Sequence, residues 1–523
     1  MPTTITPRTP VPTAVNTPSS VAAGIGELQF TDGYPSSDTA AKLRDHLDYV
    51  HGVDAFMNTV QGVSLMAIRK GFHDAGINDG DVLIFSKLMD SRGLFLTGNA
   101  DTVYFWLFLD LSRGPVVVET PSATLGMFDD MWFRWITDFG LPGPDRGKGG
   151  TYLLVPPGHD GPLPEGGFYV HQSPTNHVMV VGRAFINESP GNDPAPIAER
   201  IRNELKAYPY APGGIGSSVG AYITGKGQLG TLGSPQSPRF VEGSGLAINS
   251  LPPVDFGHFE LLDELVQLEP AEALDPELAG QFAAIGIVKG EKFAPDARRR
   301  AILDDAAAVG NAASRTVGMG ALPDEGFRFY GDNSAWWNML FVGGFEFLNP
   351  PPLVTADGIE PFPNSGARKL HSRTSMFYTA TCITPAMCMR LTNVGSQYMI
   401  ANVDQDGAAF DGSKTYRVAL PKDIPAGRFW SLNVYDNQTR SLLQTDQVYP
   451  RAGSQSYPSP AAESESDGTT VVYFSPAQPD GVASGNWIQT DPDKGWFVIL
   501  RLYSPLQPFF DQSWRPGELE LVP

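Results

Sequence analysis

GNADTVYFWLFLDLSRGPVVVETP, at residues 98–121, is the stretch that decides the fold. Its apolar runs are rich in aromatic and β-branched residues and are bounded by Gly, Asn, Asp and Pro, which is typical of strands. Other strand-like segments precede and follow it between Asp81 and Ile186, and no helical periodicity interrupts them. Successive strands without intervening helices predict an antiparallel β-sandwich over residues 81–190.

The residues before this β-rich region predict an arm followed by helices. Several prolines and a high Thr/Ser content predict a disordered arm over residues 1–30. Residues 31–80 contain apolar residues at steps of three or four positions from Leu43 to Val63. This spacing gives one buried stripe and predicts N-terminal helices, the second of them short and covering residues 63–74.

After the β-rich region the chain returns to helix and then again to strand. Residues 191–332 carry four segments with amphipathic spacing and prolines at their starts or breaks. A Gly/Ser-rich loop, residues 213–245, lies among them. Residues 333–523 are strand-like, with turn dipeptides such as Asp411-Gly412. We therefore predict a fold that is mainly β, with a helical module inserted between two β-domains.

The composition argues against several functional classes. The chain has 37 Lys and Arg residues against 57 Asp and Glu residues, a formal net charge of −20, which predicts no nucleic-acid partner. Its apolar runs are strand-length and far shorter than a membrane span, which predicts no membrane partner. Two cysteines, Cys382 and Cys388, are too few for a disulfide framework. The first residues lack the apolar stretch of an export signal, so we expect a cytoplasmic protein.

Several phrases in both β-rich regions resemble those of known families. GNADTVYFWLFLDLSRGPVVVETP, TYLLVPPG (151–158) and SPTNHVMVVGR (173–183) resemble the domain-of-unknown-function family 1254. DGSKTYRVALP (411–421), RFWSLNVYD (428–436), DGTTVVYFSP (467–476), NW (486–487) and FVILRLYSP (497–505) resemble its usual C-terminal companion, family 1214. The resemblance implies an N-terminal immunoglobulin-like β-sandwich, an α-helical insert and a C-terminal jelly-roll-like β-sandwich. It implies little about chemistry, since a fold alone gives none.

The densest polar motif lies at the start of the deciding stretch. It consists of Asn99, Asp101, Thr102 and Tyr104, at the beginning of an apolar strand. Residues two apart share one face of a strand, so Asn99 and Asp101 can point together toward a ligand, a cation or a water. The alternative is an Asx-type turn that caps the strand, which Asn and Asp form routinely.

A second polar group lies in the phrase SPTNHVMVVGR. Arg183 has a planar fork suited to a carboxylate, and a pair with Asp101 or Asp110 is plausible. That pair could join two strands, which we favour, or hold an anion. Asn176 and His177 lie in the same phrase, and a lone histidine there is more often a packing residue than an acid or base.

Other candidates combine aromatic and polar side chains. Carboxylates of the segment MFDDMWFRWITDF lie among aromatic residues and fit either a ligand-binding wall or, as we slightly prefer, a charged outer face; they are Asp129, Asp130 and Asp138, with Arg134 beside them. Tyr330, Asn333 and Trp336 mark the entry to the last domain, where junctions favour ligand clefts. In the strand phrase RFWSLNVYD, Ser431, Asn433 and Tyr435 share one face, and Trp430 and Asp436 the other; Asn486, Trp487 and Arg501 complete the set.

Familiar catalytic motifs occur only by chance or not at all. Residues 216–220 match Gly-x-Ser-x-Gly and residues 225–230 match Gly-x-Gly-x-x-Gly, but neither has the strand and helix that such motifs require. The eight histidines are scattered, without the spacing of a zinc site. The sequence therefore predicts no metal and no organic cofactor.

The preferred hypothesis is an enzyme that acts on a small polar or aromatic molecule by hydrolysis or another acid/base step, in a cleft between the two β-domains. The predicted catalytic residues are Asp101, Arg183 and Tyr330. The predicted substrate-binding residues are Asn99, Thr102, Tyr104, Asn176, Asn333, Trp336, Trp430 and Tyr435. Polar side chains placed within apolar strands favour this hypothesis, because they cost stability unless they are paired or used.

Two alternatives remain open. The chain could be a non-catalytic protein that binds carbohydrate or peptide on an aromatic face, or a structural assembly protein, since jelly rolls often serve that role. Convergence of residues 99–104 and 330–337 in one deep pocket would favour catalysis, whereas aromatic side chains lying flat on an exposed sheet would favour binding. A homodimer is possible through exposed strand edges.

Overall fold

The structure, a computed structural model, describes residues 9–210, 237–324, 326–348, 353–355, 358–360 and 367–523. It contains several β-sheets and a helical module, which confirms the predicted fold class. The Gly-x-Ser-x-Gly and Gly-x-Gly-x-x-Gly matches, and most of the Gly/Ser-rich loop, lie outside the described residues.

The N-terminal residues differ from the disordered arm that the sequence predicts. Their described part contains a short 3-10 turn and a three-stranded antiparallel sheet, formed by β1 (Ser20–Ala23), β2 (Gly26–Thr31) and β3 (Tyr34–Pro35). Leu28 is buried, and the backbone N–H of Gln29 donates to Thr39 Oγ1 at 2.8 Å. This sheet is therefore tied to the following helix, a tertiary contact that composition alone does not reveal.

One long helix replaces the two helices predicted for this region. Helix α1 (Ser37–Asp74) has 38 residues and no internal proline. Ser36 caps its first turn, because its Oγ accepts from the backbone N–H of Thr39 at 3.2 Å. Gly76, with a φ of +76°, lies just beyond its end, where the left-handed conformation that terminates helices favours glycine.

The first β-domain consists of two sheets. Its strands are β4 (Val82–Ile84), β5 (Thr102–Asp110), β6 (Val116–Glu119), β7 (Leu125–Asp130), β8 (Trp135–Gly140), β9 (Thr151–Val155), β10 (Tyr169–Gln172), β11 (His177–Phe185), β12 (Lys206–Pro209) and β13 (Phe240–Glu242). One sheet has the order β13-β4-β5-β11-β7-β8, and the other has the order β10-β9-β6-β12. Most pairs are antiparallel, but β13 with β4 and β10 with β9 are parallel.

Strand alternation gives the six-stranded sheet two different faces. On one face Phe105 and Val180 share a core with Leu154 of the four-stranded sheet, so the two sheets pack face to face. On the other face Trp106 and Val181, which are paired in register, join the larger core that contains the helices. Both faces are therefore covered, and the second face continues toward the C-terminal domain.

Two glycines at the middle of this sheet allow aromatic rings to lie over the backbone. Gly126 on β7 and Gly182 on β11 are paired in register. A Cβ at Gly182 would overlap the ring of Phe105, and a Cβ at Gly126 would overlap the ring of Phe139. Glycine is required at both positions because the rings take the space of the missing side chains.

The helical module extends beyond the boundary at residue 332 that the sequence predicts. Its helices are α2 (Ala195–Glu204), α3 (Gly257–Leu268), α4 (Pro276–Ala284), α5 (Ala297–Gly318), α6 (Leu370–Thr379) and α7 (Pro385–Cys388). Helix α6 packs against both α1 and α5, so part of the predicted C-terminal β-domain belongs with the helices. A short hairpin of β14 (Leu353–Thr355) and β15 (Gly358–Glu360) precedes α6.

The C-terminal β-domain also consists of two sheets. Its elements are β16 (Ser396–Ala401), β17 (Tyr416–Leu420), β18 (Ala426–Asp436), β19 (Arg451–Gly453), β20 (Thr470–Ser475), β21 (Trp487–Gln489), β22 (Trp496–Pro505), α8 (Gln507–Phe510) and β23 (Glu520–Leu521). The sheet orders are β16-β22-β18-β19 and β21-β20-β17-β23. Leu432 and Leu500 of the first sheet share a core with Val472 and Phe474 of the second. The immunoglobulin-like and jelly-roll-like topologies stay predictions.

Candidate functional site

An ion pair lies at the interface between the two β-domains. Arg451 Nε, on β19, donates at 2.8 Å to Oδ1 of Asp101, which immediately precedes β5, and both side chains are 0% exposed. The other oxygen, Oδ2, accepts from Ser431 Oγ at 2.6 Å, from Asn433 Nδ2 at 3.1 Å and from Tyr503 OH at 3.0 Å. The buried carboxylate of Asp101 is therefore satisfied by a positive charge and three hydrogen bonds.

Asn99 holds this carboxylate in position. Its Oδ1 accepts from the backbone N–H of Asp101 at 2.8 Å, which is the Asx-type arrangement weighed as the alternative for this motif. Its Nδ2 donates to Tyr503 OH at 2.8 Å, and that hydroxyl donates to Asp101. Asn99 and Asp101 lie close together, as the sequence suggested. Both contact the hydroxyl of Tyr503, so together they form a contact between the two domains.

Arg183 pairs with neither of the carboxylates that the sequence suggested, Asp101 and Asp110. Its Nη2 donates to Ser396 Oγ at 2.6 Å and its Nη1 donates to Tyr104 OH at 3.3 Å. The expected pair fails because Asp101 is already bound by another arginine, and Asp110 lies at the opposite end of β5 from Tyr104. Arg183 instead reaches from β11 of the first domain to β16 of the second.

A second arginine, Arg501 on β22, lies nearby. Its Nη2 donates to Tyr435 OH at 2.7 Å and to the carbonyl oxygen of Thr97 at 2.9 Å. Its guanidinium carbon lies 5.1 Å from the centre of the Tyr398 ring, and the side chain is 5% exposed. Its Nε has no partner in the described part of the chain.

Within the described ranges, Arg183 and Arg501 form no ion pair with a carboxylate. All their polar contacts are with hydroxyl groups or backbone carbonyl oxygens. Arg451, by contrast, is neutralised by Asp101. Arg501 is buried and Arg183 is half-buried. A cation held away from bulk water without an anion is energetically unfavourable, and the two together make this region positive.

These two arginines line a cavity of about 150 Å³ between the β-domains. Most of its surface is apolar, and this part includes Trp106, Met127, Val181, Leu340, Met376 and Met387. The polar residues that line it include Tyr104, Asp138, Arg183, Ser396, Tyr398 and Arg501. A cavity of about 150 Å³ holds a molecule the size of benzene. The site therefore combines an apolar space with a cationic wall.

Tyr398 differs electrostatically from the other tyrosines of the cluster. Burial acts to raise the pKa of Tyr398, but the positive charges of Arg183 and Arg501 outweigh this effect, so the pKa lies below the usual value for tyrosine. Burial is the main reason that the pKa of Tyr104 and of Tyr503 is raised. Tyr398 is thus the member of this group that loses its proton most readily.

Asp138 supplies a titratable carboxyl group on another wall of the cavity. It lies on β8, is paired in register with Met127, and accepts a hydrogen bond from Trp135 Nε1 at 3.2 Å. Burial raises the pKa of Asp138 to about 7. The group can therefore both donate and accept a proton near neutral pH.

The raised pKa of Asp138 predicts a pH-dependent stability that Asp138→Asn removes. The folded-state pKa lies above the ordinary value of about 3.9, so the stabilising contribution of the neutral form is complete below that value and is lost as the pH rises to 7. Between pH 5 and pH 8 we expect the wild type to lose about 2–3 kcal/mol more unfolding free energy than the variant. Urea unfolding of both proteins at the two pH values measures this, and parallel pH dependence would contradict the assignment.

The segment around Asp138 is buried rather than the charged outer face preferred from sequence. Asp129 and Asp130 are both 0% exposed. Both faces of this sheet are covered, one by the four-stranded sheet and the other by the core that contains the helices. Burial, with the charges of Asp130 and Asp138, raises the pKa of Asp129 well above its usual value. Cys382, which lines the cavity, also has a raised pKa because of burial, so its sulfur is a thiol.

Several predicted site residues do not line the cavity. Trp336 and Trp430 lie in the core between the two C-terminal sheets, and Tyr330 packs at the edge of that core. Asn333 is exposed. Of residues 99–104 and 330–337, Tyr104 alone lines the cavity, so the convergence that would favour catalysis is not observed.

The remaining predicted residues are placed as follows. Thr102 is buried at the start of β5, and its hydroxyl has no partner among the described residues. Asn176 lies near the opposite end of β11 from Arg183, where its backbone N–H and that of His177 donate to Glu269. Tyr435 contacts the site through Arg501, and Tyr104 lines the cavity directly. The side chains of Asn486 and Trp487 donate to backbone carbonyl oxygens within the C-terminal domain.

Ser396 and Tyr398 were missed by the sequence reasoning. They lie two residues apart on β16 and face the cavity together. The segment SQYMIA (396–401) shows no regular alternation of polar and apolar residues, so no local signal marked these two side chains.

Metal and membrane features are absent from the described ranges. No group of three or more His, Cys, Asp or Glu side chains in them is arranged to hold a metal ion. No helix in the same ranges is long and apolar enough to cross a bilayer.

Family models match both β-domains. The model described as "Protein of unknown function (DUF1254)" matches residues 81–209, and the model described as "Protein of unknown function (DUF1214)" matches residues 395–507. The chain carries one domain of each family. Tyr104, Asp138 and Arg183 belong to the DUF1254 domain, and Ser396, Tyr398 and Arg501 belong to the DUF1214 domain. The cavity is therefore built jointly by the two domains.

Solved structures with similarity to this chain include two bacterial proteins. The VPA0106 protein from Vibrio parahaemolyticus is 15% identical, with a TM-score of 0.48 over 90% of this chain and 100% of its own. A putative uncharacterized protein from Burkholderia cenocepacia is 11% identical, with a TM-score of 0.37 over 93% of this chain and 97% of its own. No curated protein matches the sequence.

Proposed function

We propose that this protein is an enzyme that binds a small organic anion with an apolar body in the interdomain cavity and acts on it by acid/base chemistry. The observation that carries the proposal is the pair of arginines, Arg183 and Arg501, which line the cavity without an ion-pair partner in the ranges that the structure describes. A bound anion would supply the missing negative charge.

The arrangement of charges favours a carboxylate over a neutral polar group. A guanidinium presents a planar fork of N–H donors that matches the two oxygens of a carboxylate. Arg501 retains a buried Nε without a hydrogen-bond partner among the described residues. In an environment of low dielectric constant, a charge-assisted hydrogen bond contributes more than the same contact in water.

The remaining walls of the cavity favour an aromatic or branched aliphatic body for the ligand. Trp106, Val181, Leu340 and Met376 supply apolar surface. Burial of a ring the size of benzene is consistent with the volume of about 150 Å³. These residues would select the ligand by its apolar area, whereas the arginines would select it by charge.

Asp138 supports catalysis over simple binding. A catalytic acid or base is most effective when its pKa is close to the working pH. The pKa of Asp138 is raised to about 7 by burial, and this group lines the same cavity as the arginines. The aromatic side chains Trp336 and Trp430 are buried in a core, so they support no exposed carbohydrate-binding face.

Calorimetric titration with benzoate and benzamide tests the proposal. The two molecules have nearly the same shape, but only benzoate carries a charge at neutral pH. We expect benzoate to bind about 30-fold more tightly, which corresponds to roughly 2 kcal/mol of charge-assisted hydrogen bonding. Equal affinities for the two molecules, or binding of neither, would contradict the proposed function.

A further inference from the structure

A serine and a tyrosine are placed together beside Arg183 and Arg501. Ser396 Oγ lies 2.9 Å from Tyr398 OH and 2.6 Å from Arg183 Nη2. Because the two residues are separated by one position on β16, both side chains project from the same face of the strand, and both line the interdomain cavity.

We propose that Ser396 is a nucleophile and Tyr398 its general base, in the hydrolysis of small carboxylic esters. This inference rests on the proposed function, because it uses the same cavity. The ester is the substrate, and the carboxylate that its hydrolysis releases is the small organic anion that the arginines bind. A serine hydroxyl becomes an effective nucleophile when an adjacent base is within hydrogen-bonding distance of it. The 2.9 Å separation between Ser396 and Tyr398 fulfils that requirement.

The hydrogen-bond donors around the serine define the direction of proton transfer. The guanidinium of Arg183 has only donors, so its contact with Ser396 uses a lone pair of Oγ. The single hydroxyl hydrogen of Ser396 can then be directed to the oxygen of Tyr398. Arg183 Nη2 also lies 3.4 Å from that oxygen, and Arg501 lies over the ring, so positive charge stabilises the phenolate form of Tyr398.

The reaction would proceed in two balanced steps. Ser396 Oγ attacks the carbonyl carbon of the ester while its proton moves to the Tyr398 oxygen, and a tetrahedral intermediate forms. When this collapses, the carbon–oxygen bond to the alcohol breaks, the alcohol takes the proton from Tyr398, and Ser396 carries the acyl group. Water then attacks the acyl carbon and gives a proton to Tyr398, which returns it to Ser396 as the carboxylic acid is released.

Arg183 and Arg501 have different roles in this reaction. Arg183, which contacts Ser396 Oγ directly, is placed to stabilise the negative charge that develops on the carbonyl oxygen. Arg501 lies on the neighbouring strand β22 and would hold the carboxylate product. The same positive wall thus serves the transition state of the ester and the anion that results from it.

Covalent labelling with phenylmethanesulfonyl fluoride tests the proposal on the full chain. We expect peptide mass spectrometry to locate the sulfonyl group on Ser396 of the wild type, and phenyl acetate to be hydrolysed with release of phenol. Tyr398→Phe should lower both rates about 100-fold, as expected for loss of a general base, and Ser396→Ala should abolish both. Two control variants should retain wild-type rates. They are Ser413→Ala, at an exposed serine, and Tyr473→Phe, at a tyrosine that does not line the cavity.

The outcomes separate this inference from the proposed function. If benzoate binds more tightly than benzamide but the reagent never modifies Ser396 and phenyl acetate is not hydrolysed, the nucleophile assignment is wrong and the anion site stands. Labelling of the wild type at Ser396 supports the assignment even if a variant fails to fold, because the modified residue is identified directly. Unchanged rates in a folded Tyr398→Phe protein would overturn the role of the base.

Discussion

Replacement of Asp101 by alanine is expected to lower the free energy of unfolding by about 3–5 kcal/mol, the usual cost of breaking a buried ion pair by removing one partner. Arg451, which is 0% exposed, would lose its counter-charge inside the interface. The hydroxyl groups of Ser431 and Tyr503 and the side-chain amide of Asn433 would also lose their acceptor. Urea unfolding, with the midpoint and the slope both measured, gives this quantity.

Two further proteins show whether the loss comes from the ion pair. Asp411→Ala removes a carboxylate that is 44% exposed and should change the stability by less than about 1 kcal/mol. The double variant Asp101→Leu with Arg451→Met should lose less stability than the sum of the two single variants, because it leaves no unpaired charge. A loss below about 1 kcal/mol for Asp101→Ala would contradict the buried ion pair.

Arg501→Met is expected to weaken benzoate binding about 100-fold while leaving the protein as stable as the wild type or more stable. Loss of a charge-assisted contact to a buried anion costs roughly 2–5 kcal/mol of binding free energy, and each 1.4 kcal/mol is a factor of ten. The same substitution removes a buried cation that has no ion-pair partner in the part of the chain that the structure describes, and apolar replacement of buried charges is often neutral or stabilising. Calorimetric titration and urea unfolding of one preparation measure the two effects together.

Arg451→Met provides the matched control for this second prediction. It also removes a buried arginine from the interface, but one that is paired with Asp101 and does not line the cavity. We expect this variant to lose stability, with a smaller effect on benzoate affinity in the protein that remains folded. If Arg501→Met lowers stability as much as Arg451→Met and leaves benzoate affinity unchanged, Arg501 is a structural residue.

The period-two alternation of strands was enough to predict part of the site. The prediction that Ser431, Asn433 and Tyr435 share one face holds in the structure, where two of them contact Asp101 and the third contacts Arg501. The same rule places Trp430 on the opposite face, in the core between the C-terminal sheets. The prediction that Trp430 binds the ligand was therefore inconsistent with the two-residue alternation of the strand.

The rest of the site depends on contacts between distant parts of the chain. Asp101 and Arg451 are separated by 350 positions, and Arg183 and Ser396 by 213. A local sequence pattern does not indicate which arginine forms an ion pair with which carboxylate when two sheets pack against each other. The helical module raised the same difficulty, because helix α6 lies in sequence among predicted strands but packs against α1 and α5.

A crystal structure of the protein with bound benzoate tests the central claim most directly. The account predicts that the carboxylate lies within about 3 Å of guanidinium nitrogens of Arg183 or Arg501, with the ring against Val181 and Met376. Benzoate bound elsewhere, or an empty cavity in which both arginines are paired with carboxylate side chains of the protein, would contradict it.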